Sequence, residues 1–209
     1  MVLALEPDRR EELLRLGSAT VYEAAGAEGA LDPAIAPVWP GASVCGLALP
    51  VRCSPGDNLA IHLALEAAEA GVVLVVDANA HLAGYCGEVL AVAAQARGVL
   101  GLVIDGGVRD SDALDRLRFP VFARGRSIAR TVKHEPGSVG EPVVAGGALV
   151  RPGDVVVADA DGVVVVRAER LTEVLEASRA RVAKEDQVMA RLRAGELTLD
   201  LLGLRRPAG

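Results

Sequence analysis

Aromatic side chains are scarce in this chain: its 209 residues hold two Phe, two Tyr and one Trp. The core must therefore be built from Val, Leu, Ala and Ile, which the 51% apolar content supplies. One domain spanning residues 1–209 is the expected arrangement for this length. Lysine is scarcer still: Lys133 and Lys184 are the only two, so arginine carries nearly all the positive charge. A net charge of −6 with no Lys/Arg run leaves no electrostatic footprint for nucleic acid. Three cysteines (Cys45, Cys53, Cys86) form an odd set with no zinc-site spacing, which points to reduced thiols in a cytoplasmic protein. No apolar run approaches the roughly 20 residues that span a bilayer. Met1 to Arg10 carries Glu6, Asp8, Arg9 and Arg10 and lacks the apolar core of a secretory signal. No Gly-Lys-Ser/Thr phosphate loop occurs, and no GxGxxG follows a strand, so a nucleotide cofactor has no support.

What the chain does contain is an alternation of short apolar runs and helical periodicity. Asp8 to Leu16 predicts a helix stopped by Gly17, and Val21 to Ala25 a second one with Ser18 or Thr20 as N-cap. Val44 to Arg52 predicts a strand, and Leu59 to Ala70 a helix capped by Asp57 and ended by Gly71. Val72–Val76, the helical stretch Glu88 to Gly98 and Gly101–Ile104 form a strand–helix–strand unit. A short helix from Asp110 to Leu117 and a strand Pro120–Arg124 follow. After Gly125 short strands come quickly, at Val143–Val144, Ala148–Val150, Val155–Ala158 and Val163–Val166, separated by Gly and Asp turns. Glu169 to Ala194 predicts one long helix closed by Gly195. The expected class is thus one mixed α/β domain with a parallel strand–helix–strand core, a β-rich second half and a helical stretch over 168–209.

Two polar clusters follow the two central strands: Gly84-Tyr85-Cys86-Gly87-Glu88-Val89-Leu90 and Asp105-Gly106-Gly107-Val108-Arg109-Asp110. In a parallel unit both emerge at the carboxyl ends of neighbouring strands, where open α/β sheets bind ligands. Taken alone, Asp110 fits an N-cap with Arg109 as a surface partner, and Gly87-Glu88 fits an ordinary helix start. Taken together, the first cluster offers the N–H groups of residues 87 to 90 as an anion cradle. The second offers a guanidinium beside a carboxylate, and Gly106-Gly107 predicts close approach of backbone to ligand.

The remaining candidates read as structural. Asp77 ends its strand near the cleft; Asp57, Asp159 and Asp161 fit caps and turns. His62, His81 and His134 have no second histidine at ligand spacing. Cys86 lacks a partner base and reads as a packed thiol. Neither Lys133, in a polar connection, nor Lys184, on a charged helix, suits a Schiff-base aldolase.

The ordered motifs Gly84-x-x-Gly87-Glu88-x-Leu90-Ala91 and Arg97-Gly98-x-x-Gly101-x-Val103-x-Asp105-Gly106-x-Val108-Arg109-Asp110 resemble one family. It comprises the 4-hydroxy-4-methyl-2-oxoglutarate aldolases and the regulator of ribonuclease activity A. The likeness continues through Pro120–Gly125, Val150-x-Pro152-Gly153-Asp154 and Ala158-Asp159-x-Asp161-Gly162-Val163, over most of residues 18 to 203.

The resemblance implies a class II pyruvate aldolase with a layered α/β/α fold, acting on a small 2-oxo acid with Mg²⁺ or Mn²⁺ and assembled as a homotrimer or hexamer. It implies that Gly87, Glu88, Val89 and Leu90 contact substrate, that Arg109 binds the pyruvyl group and that Asp110 ligates the metal. Many members have Asp where this chain has Glu88. Aldolase members carry a carboxy-terminal extension that donates a Glu to the neighbouring subunit's site, for which Glu185 is the best match and Glu196 the second. The shorter regulators imply the alternative, a non-enzymatic protein that binds a ribonuclease complex; the long helix here favours the enzyme. In the aldolase reading a carboxylate-bound water near Glu88 removes the 4-hydroxyl proton, and oxaloacetate decarboxylation follows from the same enolate.

Overall fold

Four parallel strands give the molecule its direction and place the loops that matter. The computed structural model describes residues 5–205; residues 1–4, part of the stretch read for a signal, lie outside them. Helix α1 (Pro7–Ala24) leads through β1 (Ala36–Pro37) to β2 (Val44–Arg52), α2 (Leu59–Ala67), β3 (Val72–Asp77), α3 (Glu88–Ala96) and β4 (Gly101–Val108). Then come α4 (Ser111–Arg116), β5 (Val121–Arg126), β6 (Ser138–Val139), the hairpin β7 (Val143–Ala145)–β8 (Ala148–Val150) and the hairpin β9 (Val155–Asp159)–β10 (Gly162–Val166). A 3-10 turn at Ala168–Arg170, α5 (Leu171–Arg193) and a short α6 (Thr198–Leu201) complete the described chain.

The main sheet runs β1-β5-β4-β3-β2-β9-β10, with β6 also on β2. Strands β2 to β5 pair in parallel, and β9 and β10 continue the sheet antiparallel. Its two ends are linked by one segment. Val165 donates to the Gly29 carbonyl and Leu31 to that of Val163, at 2.9 Å each, while Ala36 and Pro37 pair with β5. The sheet is therefore nearly closed, and the fold is mixed α/β as the alternation of elements implies.

The aliphatic composition is used as expected. Strand β4 is buried at every position, the mark of a strand covered on both faces. A large cluster packs β3, β4 and β5 against α2 and α3. A second joins Cys45, Leu47, Val155, Val157, Val164 and Val166 to Leu13 and Val21 of α1 and Val174 and Leu175 of α5. Of the five aromatics, Tyr85, Phe119 and Phe122 are fully enclosed.

Three local readings change. Gly17 (φ 78°, ψ 159°) breaks α1 into two helical runs, but neither Ser18 nor Thr20 caps the second one. The Ser18 N–H and hydroxyl both donate to the Asp159 carboxylate, at 2.7 and 2.6 Å, so a residue from the β9 end does the capping. Helix α2 stops at Ala67 rather than Ala70. The Arg97 guanidinium donates to the Leu65 and Glu66 carbonyls at 3.1 and 2.8 Å, satisfying acceptors that a further turn would have used. Strand β4 runs on to Val108 instead of ending at Ile104, with a register shift between Ile104 and Gly107.

The long helix ends as read. Gly195 has φ 96°, and the Gly195 and Glu196 N–H groups return to the Leu192 and Arg191 carbonyls at 2.9 and 3.2 Å. These are the bonds of a glycine C-cap. No helix among the described residues is long and apolar enough to cross a membrane.

Candidate active site

Three loops leave the carboxyl ends of β3, β4 and β5 and meet. The β3 loop, residues 78–87, lies directly on the glycines of β4. A Cβ on Gly106 would come within 2.8 Å of Ala78 Cβ, and one on Gly107 within 2.6 Å of the Ala83 carbonyl oxygen. Gly106-Gly107 thus admits a neighbouring loop, not a ligand, which corrects the sequence expectation. Tyr85 anchors that loop: its hydroxyl accepts from the Gly56 N–H at 2.6 Å, and its carbonyl accepts from Asn58 Nδ2 at 2.8 Å.

Arg109 and Asp110 sit where β4 gives way to α4. The Arg109 N–H donates to the Cys86 carbonyl at 2.9 Å, which ties the two polar clusters together through backbone. Asp110 occupies the N-cap position of α4 but makes no cap bond there, and its φ of 57° and ψ of 38° are left-handed. That conformation costs a side-chain-bearing residue of order 1 kcal/mol. It turns the carboxylate toward α3, where Oδ2 accepts the Glu88 N–H at 3.1 Å. Arg109 Nε lies 3.6 Å from the same oxygen. Gly87 makes this contact possible, because a Cβ there would stand 2.3 Å from Asp110 Oδ2 and 3.0 Å from Arg109 Cγ.

With the Glu88 N–H taken by Asp110, the N–H groups of Gly87, Val89 and Leu90 have no acceptor among the described residues. They remain available at a helix start, where the dipole favours an anion.

Gly87, Val89, Leu90, Arg109 and Asp110 line one open cavity of about 320 Å³. Its size is at the low end of the roughly 300–1,000 Å³ found for small-molecule sites. Glu88 is exposed on the first turn of α3, and only its backbone joins the contact. Glu185 lies on α5, paired with Arg181 at 2.8 Å, and Glu196 is held by Arg191. Neither lines the cavity, so a role for either requires a second copy of the chain.

The opposite wall was missed from sequence. Asn58 and His62 come from α2 and its start, and Arg130, Thr131 and Lys133 from the β5 loop. Asn58 and His62 are four residues apart, a spacing that puts them on one helix face. The β5 loop leaves the same sheet edge as the other two, which was the available signal for it. Asn58 is 4% exposed, and its Oδ1 is buried without a partner, as is His62 Nε2. Buried polar atoms are seldom left so unless water or ligand serves them. Burial, then the charge of Lys133, lowers the pKa of the His62 imidazole from its ordinary value, which favours the neutral ring.

Other candidates fall outside the cavity wall. Burial pushes the Cys86 thiol up to about 12, which keeps it protonated and inert. The Asp77 carboxylate accepts from the Asn79 N–H at 2.9 Å and faces Arg52 at 3.7 Å. His81 Nδ1 lies 3.1 Å from the Tyr85 hydroxyl. Among the described residues no three His, Cys, Asp or Glu side chains cluster as a metal cage.

Residues 18–165 match the RraA-like family, described as Aldolase/RraA, and the chain belongs to that family. A protein of Halalkalibacterium halodurans, named "Putative 4-hydroxy-4-methyl-2-oxoglutarate aldolase", is 36% identical over 157 residues, 75% of each chain. Among solved structures, an uncharacterized protein from Pseudomonas syringae pv. tomato superposes with a TM-score of 0.81 at 27% identity, covering 94% of this chain and 93% of that one. Streptomyces coelicolor RraAS2, described as an unusual member of the RNase ES inhibitor RraA protein family, gives a TM-score of 0.77 at 29% identity. It covers 90% of this chain and 98% of its own. The RNA-processing inhibitor RraA from Thermus thermophilis is shorter by comparison: it superposes with a TM-score of 0.62 at 30% identity, covering 67% of this chain and 86% of its own.

Proposed function

We propose that this protein is a divalent-metal-dependent lyase that cleaves 4-hydroxy-4-methyl-2-oxoglutarate or a related 4-hydroxy-2-oxo acid to pyruvate, with oxaloacetate decarboxylation as a side activity. The observation that carries the reading is the meeting of Arg109, Asp110 and the free first-turn amides of α3 at one small cavity. The aldolase name of the 36% identical relative supports it.

The residues fit a hydrated Mg²⁺ or Mn²⁺. Asp110 supplies a hard oxygen donor that is 41% exposed, and its second oxygen has no partner among the described residues. A site with one or two carboxylates and water in the other positions suits Mg²⁺, which dehydrates reluctantly. When bound, the ion supplies Lewis-acid polarisation of the keto oxygen.

The chain's own groups do the rest. Arg109 grips the 2-oxo acid through its planar fork. The Gly87, Val89 and Leu90 N–H groups receive the negative charge of the carboxylate or the developing enolate. Glu88, whose exposed side chain stands on the first turn of α3 outside the cavity wall, acts as the base through an intervening water, which takes the 4-hydroxyl proton. The C3–C4 bond then breaks, its electron pair forming the pyruvate enolate while C4 becomes a carbonyl. Protonation at C3 yields pyruvate. In a homotrimer or hexamer, Glu185 or Glu196 of a neighbour would complete the proton path.

The RraAS2 likeness favours a second reading, a regulator that binds a ribonuclease complex. The deciding experiment incubates the protein with 4-hydroxy-4-methyl-2-oxoglutarate and Mg²⁺ and follows pyruvate by coupled reduction to lactate. Steady pyruvate release supports the enzyme. No release from this substrate, from other 4-hydroxy-2-oxo acids or from oxaloacetate supports the regulator.

A further inference from the structure

The cavity is unusually cationic for this chain. Acidic residues outnumber Lys and Arg, 28 to 22, yet the wall carries Arg109, Arg130 and Lys133 against the single carboxylate of Asp110. Elsewhere many arginines find acids: Arg124 pairs with Asp105 and Asp32, Arg167 with Asp154, Arg179 with Glu12. Among the described residues no carboxylate pairs with Arg130 or Lys133. Asp57 lies close by, beside Val132 in a backbone bridge. Its carboxylate is taken up by the N–H groups of Leu59, His134 and Glu135, at 2.9, 2.6 and 2.9 Å.

The two cations are also held in place by backbone. The Ala129 carbonyl accepts from the Gly84 N–H at 2.7 Å. Val132 exchanges bonds with the segment 56–58, donating to the Gly56 carbonyl at 2.9 Å and accepting from the Asn58 N–H at 3.1 Å. Arg130 therefore lies between pins at 129 and 132, and Lys133 between Val132 and the His134 N–H on Asp57. A tethered loop loses little entropy when its side chains close on a ligand.

We infer that Arg130 and Lys133 form a second anion subsite that holds the distal carboxylate of a dicarboxylic 2-oxo acid, while Arg109 and the α3 amides hold the pyruvyl end. The inference rests on the aldolase reading and deepens it, by making the subsite the reason a substrate with two carboxylates is selected over one with a single carboxylate. Two cations without partners favour one more anionic group than the pyruvyl end provides. Charge complementarity of this kind discriminates through the penalty of leaving Arg130 and Lys133 uncompensated when the distal group is absent.

The test separates the subsite from catalysis by using ligands that cannot be cleaved. Titration calorimetry with Mg²⁺ present compares pyruvate with 2-oxoglutarate, on the unaltered protein and on Arg130→Gln and Lys133→Gln. Each substitution should weaken 2-oxoglutarate binding about tenfold, the equivalent of about 1.4 kcal/mol, and leave pyruvate within about twofold. In turnover, the preference for 4-hydroxy-4-methyl-2-oxoglutarate over 4-hydroxy-2-oxopentanoate should shrink by a similar factor. Equal weakening of both ligands, or no change in either, overturns the subsite. If no substrate releases pyruvate, the aldolase reading falls, and the ratio of 2-oxoglutarate to pyruvate affinity still decides the subsite.

Discussion

The Asp110 carboxylate and Gly87 are mutually dependent: the space a Cβ would need on Gly87 is occupied by Asp110 Oδ2, at 2.3 Å. Gly87 has an extended backbone (φ −154°), so the requirement for glycine there is steric and comes from a residue 23 positions along the chain.

Gly87→Ala must therefore displace Asp110, Arg109 or the start of α3. A misplacement of about 1 Å costs on the order of 10²-fold in rate, and a loss of that size in kcat/KM is expected. Gly87 lies in the loop between β3 and α3 rather than in a core strand, so the melting temperature should fall only a few degrees. Parallel kinetics and thermal melts check both. Near-normal turnover would remove the Asp110–Gly87 contact from the account.

The left-handed backbone of Asp110 leads to an opposite pairing of effects. Asp110→Gly relieves a conformation that glycine adopts freely, so the fold should be as stable or more stable. Activity and Mg²⁺ binding should both be lost, because the only carboxylate lining the cavity among the described residues is gone. A variant that binds Mg²⁺ as before by calorimetry would show that the ligand lies elsewhere.

Asp57 supplies a pH dependence with a defined sign. Burial pushes its pKa up, but the N–H donors of Leu59, Glu135 and His134 outweigh it, and the pKa is lowered from the ordinary 3.8. A depressed pKa contributes stability that is fully present above the unfolded value and is lost as pH falls through the folded one. Asp57→Asn should cost about 2 kcal/mol at neutral pH through its charged hydrogen bonds. It should also flatten the decline of the urea midpoint below pH 3.8. An unchanged acid profile would mean the group does not titrate between the states.

Glu185 permits a test of shared sites. Helix α5 has 23 residues, about 35 Å at 1.5 Å per residue, and Glu185 stays outside its own chain's cavity. Arg109→Ala and Glu185→Ala proteins, each inactive alone, should regain part of the activity when their subunits are mixed. Confirmed subunit exchange without recovery would exclude Glu185 as the donor, and Glu196→Ala would then be mixed in its place.

Much of the fold could be read along the chain because its signals are local. The runs Val72–Val76 and Gly101–Ile104, and the apolar face between Glu88 and Gly98, are complete within their own windows. The Arg109-Asp110 and Gly87–Leu90 clusters followed because parallel strands release their loops at one edge. What escaped depends on distant partners. The end of α2 is set by Arg97, the break at Gly17 is capped by Asp159, and Gly106-Gly107 receives the 78–87 loop. The Arg130–Lys133 wall has no periodicity of its own and takes its position from Gly56, Asn58, Asp57 and Gly84. His62 looked like an isolated histidine until α2 was set beside the cavity.

The central claim is that Arg109 and Asp110 work together on a 2-oxo acid. The most direct measurement is the initial rate of pyruvate release from 4-hydroxy-4-methyl-2-oxoglutarate by the unaltered protein and by Arg109→Lys, each with Mg²⁺ and with chelator. The account predicts turnover by the unaltered protein that chelator removes and Mg²⁺ restores, and a loss of about 10²-fold in Arg109→Lys, since an ammonium cannot reproduce the guanidinium fork. Equal rates in the two proteins, or rates indifferent to chelator, would contradict it.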